Sequence, residues 1–71
     1  VSDVERIARL TELARRMWPH AFVATSGRPD FAAVDVFDAE GHYKWSPMAI
    51  HHARALAALE AALRVLAEGE Q

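Results

Sequence analysis

The sequence predicts an α+β fold of αβββα order, a three-stranded antiparallel sheet with two flanking helices. Three observations predict it. Apolar residues recur at helical spacing at both ends, the middle is rich in β-branched and aromatic residues in short alternating runs, and two clusters of turn-forming residues divide that middle into three. The 71 residues fit one small domain, 1–71, of a size at which one core leaves little stability to spare and a partner subunit often helps.

The first helix is expected from Ser2 to about Trp18. Ser2-Asp3-Val4-Glu5 has the spacing of a reciprocal capping box, in which the serine hydroxyl accepts from the Glu5 amide and the glutamate reaches back. Val4, Ile7, Leu10, Leu13, Ala14 and Met17 form one apolar stripe. Glu5 with Arg9, and Glu12 with Arg16, are acid-before-base pairs four apart, the favoured order on a helix. Pro19 stops the helix, because the residue before a proline is pushed out of the helical region.

Three strands follow. Ala21 to Thr25 leads into the turn-rich Ser26-Gly27-Arg28-Pro29-Asp30, Phe31 to Phe37 runs to Asp38-Ala39-Glu40-Gly41, and His42 to Trp45 completes the set. A four-residue second loop sets Phe37 opposite His42, Val36 opposite Tyr43, Asp35 opposite Lys44 and Val34 opposite Trp45. A four-residue first loop sets Thr25 opposite Asp30, Val23 opposite Ala32 and Ala21 opposite Val34. Ala21, Val23, Ala32, Val34, Val36, Tyr43 and Trp45 then share a core face, and Phe22, Phe31, Asp35, Phe37, His42 and Lys44 share the reverse face. A slip of one residue in the first strand would exchange its two faces, Phe22 included.

The last helix is expected from Pro47 to about Glu68. Ser46 suits the N-cap and Pro47 the first helical position, where its fixed dihedral is an advantage. Ala49, His52, Leu56, Leu59, Leu63 and Leu66 make an apolar seam, with Arg54, Ala57, Ala61, Arg64 and Glu68 on the wetter side. Gly69 and the polar Glu70-Gln71 end it.

The αβββα order over nearly the whole chain is similar to that of double-stranded RNA-binding domains. That resemblance implies two helices on one sheet face and phosphate contacts from a lysine cluster at the start of the last helix. The corresponding stretch here, Ser46 to Arg54, has no lysine, the first hairpin loop offers only Arg28, and Lys44 is the sole lysine of the chain. The resemblance is therefore one of topology, and nucleic acid is the secondary expectation for a partner.

Charge and composition exclude much chemistry. Ten acids against eight bases give a net charge of −2, so no strong attraction to a polyanion is written into the total. The absence of cysteine removes disulfides, thiolate zinc sites and cysteine nucleophiles. His51 and His52 are adjacent, which separates them by about 100° on a helix and does not suit a shared metal. Asp35, Asp38 and Glu40 crowd one hairpin without the alternating oxygens of a calcium loop. The hydroxyls of Ser2 and Ser46 are assigned to caps and that of Ser26 to a turn. Gly27 and Gly41 are isolated, so no phosphate-cradling loop is present. No enzyme, cofactor or metal is expected.

Fifteen alanines, seven arginines to one lysine, and Val1 in place of methionine suggest a bacterial or phage source. No apolar run approaches the ~20 residues of a membrane span and no signal peptide is visible, so a cytoplasmic location is expected. What remains is an apolar surplus. If one helix covers each sheet face, every phenylalanine is buried; if both helices share one face, Phe22, Phe31 and Phe37 form a docking surface with Asp35, His42 and Lys44 around it. The expected function is a small protein–protein interaction or regulatory module, whose partner is a second copy or another protein.

Overall fold

Ser2 caps the first helix as its spacing to Glu5 requires, its hydroxyl accepting from the Glu5 amide at 3.2 Å. From this start the computed structural model, which describes residues 2–69, runs α1 (Asp3–Arg15), β1 (Ala21–Ala24), β2 (Phe31–Phe37), β3 (Tyr43–His51) and α2 (Ala55–Gly69). This is the expected αβββα order; Glu70 and Gln71, expected beyond the last helix, lie outside the described residues. The sheet is antiparallel with β2 in the middle.

Helix α1 stops three residues before the expected Trp18. The Met17 and Trp18 amides both bond to the Ala14 carbonyl, a tightening turn that carries the chain toward Pro19 and frees Trp18 to meet Trp45 edge to face, with ring centroids 6.2 Å apart. The expected Glu5–Arg9 and Glu12–Arg16 pairs are not closed. Among the described residues the helix ion pairs gather instead on Glu60, 3.7 Å from Arg6 across the helix interface and 2.9 Å from Arg64 within α2.

The largest correction concerns residues 46–54. Ser46 does not cap a helix and Pro47 does not open one; both lie inside β3, and α2 begins only at Ala55. The physical reason is the length of β2. On one side β1 pairs only Ala33 to Val36, and on the other Tyr43 to Trp45 alone would leave Phe31 to Val34 without partners. Met48, Ala49, Ile50 and His51 supply them, opposite Val34, Ala33, Ala32 and Phe31. An edge strand is where a sheet tolerates a proline, and the pairing is irregular near it, between Val34 and Val36 and again before Phe37.

Those irregularities also correct the second hairpin. Phe37 faces Tyr43 and Val36 faces Trp45, so Tyr43 joins the phenylalanine face and is 56% exposed, not buried. Trp45 keeps to the valine face but stays half exposed at its margin. In the first hairpin Ala21 pairs with Val36 and Val23 with Val34, two residues from the expected register. A slip of two preserves the faces, so Ala21, Val23, Ala32 and Val34 are buried as expected.

Both helices pack on that face. Leu10 and Ala14 from α1, Ala55, Leu59 and Leu63 from α2, and the four small sheet residues form one buried cluster, with Met48 and Ile50 of β3 packed against it. Ala49 and His52, expected in the seam of the last helix, lie outside α2 and are exposed. Leu66 is partly exposed at its far end, so the seam that is buried runs Ala55, Leu59, Leu63.

Candidate interaction surface

With both helices on one side, the other side of the sheet has no layer above it. Alternation along the strands puts Phe22 from β1, Phe31, Ala33, Asp35 and Phe37 from β2, and Tyr43, Ala49 and His51 from β3 on this open face. The rings form a ladder across all three strands. Phe22 and Phe37 meet edge to face at 5.6 Å and Phe37 and Tyr43 at 5.8 Å, while Phe31 lies 4.5 Å from His51 at the far end. Mutual packing leaves Phe31 and Phe37 only partly exposed, whereas Phe22 is 46% exposed. Ring ladders of this kind add about 0.5–1.5 kcal/mol per pair, yet they leave the outer ring surfaces wet.

Polar groups punctuate the ladder. Asp35 sits beside Phe22 in register, and one of its carboxylate oxygens accepts from the Ser46 hydroxyl, which also bonds the Tyr43 hydroxyl at 2.9 Å. Arg15 reaches round from α1, donates from Nε to the Ala21 carbonyl at 2.9 Å and lays its guanidinium 4.3 Å above the Phe22 ring. Of the residues expected on this surface, Phe22, Phe31, Asp35 and Phe37 are together. His42 and Lys44 are not. Both are drawn to Asp38 in the hairpin turn, at 3.5 and 3.7 Å, so the expected Asp35–Lys44 cross-strand pair does not form. The His42 and Glu40 amides also donate to Asp38; the His42 amide first, then the Glu40 amide and Lys44, hold its carboxyl below the usual range. Tyr43, Ser46 and Arg15 were missed from the sequence: the first two because the hairpin register was wrong, the third because only tertiary packing brings a helix arginine onto a strand ring.

The sheet edges are less available than this face. On β1 the Val23 amide donates to Thr11 Oγ1 at 3.1 Å and the Ala21 carbonyl accepts from Arg15, so α1 closes that edge. On β3, Lys44, Pro47 and the irregular pairing are devices that discourage a further strand.

A cleft of about 600 Å³ opens at one end of the helical side, between the start of α1, the first hairpin loop and the start of α2. Arg6, Arg28 and Arg54 line it together with Asp3. Arg28 is held by both carboxylate oxygens of Asp30, whose pKa it lowers, and Arg6 by Glu60. Among the described residues no group of three or more histidines and acids is placed to hold a metal ion, and no helix is long and apolar enough to cross a membrane.

Fold and surface define a two-layer α+β domain with an aromatic sheet face left open. No family model matches the chain, and neither a curated protein nor a solved structure matches it significantly.

Proposed function

We propose that this chain is a small non-enzymatic interaction or regulatory module, an accessory protein of a bacterium or phage acting in the cytoplasm without a cofactor. It meets a second copy or another protein through the helix-free face of its sheet. The observation that carries the reading is the ladder Phe22–Phe37–Tyr43 on a face that neither helix covers. Aromatic rings with a few polar groups among them are what interface centres are made of, and contiguous apolar surface of this kind marks contact sites on small proteins.

Light scattering on the full chain and on Phe37→Ser, with circular dichroism as the fold check, tests it. The wild-type chain should associate, with itself or with a protein captured from its native host, and the variant should remain folded and do neither. A folded variant that associates as the wild type does would remove the sheet face from consideration.

A second reading, a nucleic-acid binder of double-stranded-RNA-binding-like topology, is favoured by one observation, the convergence of Arg6, Arg28 and Arg54 on one cleft. It ranks below the first because acids engage two of the three arginines and the cleft has few charges to neutralise phosphates. Salt-sensitive retention on a nucleic-acid column, lost in Arg54→Ala, would put it ahead.

A further inference from the structure

Resting on the reading of the open face, we infer that its occupant is a second copy of this chain, docked about a two-fold axis that sets Arg15 of each copy over Asp35 of the other. The argument begins with the charges. The centre of the face holds one carboxylate, Asp35, with one oxygen satisfied by Ser46 and no described residue bonded to the other. Its margin holds one guanidinium, Arg15, spread on the Phe22 ring with only Nε engaged. A surface with one acid and one base a strand apart is complementary to itself, which an isologous interface requires.

Register fixes the geometry. Phe22 on β1 and Asp35 on β2 are direct cross-strand partners, so they lie at one level along the strands. A two-fold axis parallel to the strands, running between β1 and β2, preserves that level and exchanges the two positions. Asp35 of the second copy then lies over Phe22 and Arg15 of the first, and the same pair forms again on the other side of the axis. Sheets packed face to face in this way stand about 10 Å apart, a gap that phenylalanine rings and an arginine can fill.

Area sets the strength. With the axis between β1 and β2 only those two strands lie over the partner, and two strands about 4.8 Å apart and up to seven residues long present roughly 200 Å² of flat face. Ring relief adds to this, but it stays below the ~800 Å² per partner of a standard interface. The dimer is therefore weak and depends on concentration, and the reciprocal Arg15–Asp35 pairs give it one orientation more than they give it affinity.

Analytical ultracentrifugation of the full chain up to millimolar concentration tests this, with Arg15→Glu, Asp35→Arg and the double exchange. The wild type should move from monomer to dimer, each single variant should weaken the dimer more than tenfold, and the double variant should recover most of the loss. Because Arg15 also supports β1, Asp35→Asn provides a milder variant that keeps an acceptor for Ser46; it too should weaken the dimer with an unchanged circular dichroism spectrum. A monomeric wild type at every concentration overturns the second copy as occupant while leaving the sheet-face reading to its own Phe37→Ser test. A wild-type dimer that the single variants and Asp35→Asn do not weaken, or that the double exchange does not rescue, overturns this pairing.

Discussion

The two faces of this sheet are built from different side chains although they share the same three strands. The covered face carries Ala21, Val23, Ala32 and Val34, residues small enough for two helices to come close, and Leu10, Leu59 and Leu63 fill the space between the layers. The open face carries three phenylalanines, a tyrosine, an aspartate and a histidine, which pack sideways against one another in the absence of anything above. The covered side is where the stability of so short a chain is concentrated. The open side is where large aromatic surface, Phe22 and Tyr43 above all, stays exposed.

The comparison predicts a large cost on one face and a small one on the other. Leu59 and Leu63 are fully buried, so Leu59→Ala or Leu63→Ala should lower stability by about 2–5 kcal/mol in urea unfolding. A loss under about 1 kcal/mol would mean that the helical layer is not the core. Phe37→Ser should cost less, about 1–2 kcal/mol, because it loses two cross-strand ring contacts and only partial burial, and its main effect should be on association. Thr11→Val sharpens the comparison at the sheet edge. It keeps the shape but leaves the Val23 amide without an acceptor, for an expected loss of about 1 kcal/mol with association unchanged.

The smallest effect belongs to the hairpin. The Asp38 carboxyl is lowered by two amides and Lys44, so its contribution to stability is complete above its unfolded value, near 4, and is lost as pH falls through the lower folded value. Asp38→Asn should flatten that part of the acid limb of thermal stability, lying slightly below the wild type at neutral pH and converging with it at low pH. An acid limb identical in the two proteins would place the responsible carboxylates elsewhere.

Much of the fold was legible in the sequence, because period and punctuation agree over most of it. Leu10 and Ala14 follow from the spacing of the first helix, Leu59 and Leu63 from that of the last, and Ala21, Val23, Ala32 and Val34 from alternation. Ser46-Pro47 misled because serine before proline opens a helix and also fits a sheet edge, and local chemistry does not distinguish the two. The arbiter is non-local: Phe31 and Ala32 find no partner on β1, and Met48 and Ile50, two apart, already had the spacing of a strand. The same misplacement hid Tyr43 and Ser46 from the candidate surface and put His42 and Lys44 on it. Whether the helices shared a face depended on how the layers pack, which neither period nor turn chemistry encodes.

The most direct test of the claim that the helix-free face meets the partner is a backbone amide NMR series in which the chain is concentrated from micromolar to millimolar. Shifts that grow with concentration should cluster on Phe22, Asp35, Phe37 and Tyr43, with Leu10, Leu59 and the exposed side of α2 unmoved. Shifts confined to the helical layer, with the four sheet residues still, would contradict the account.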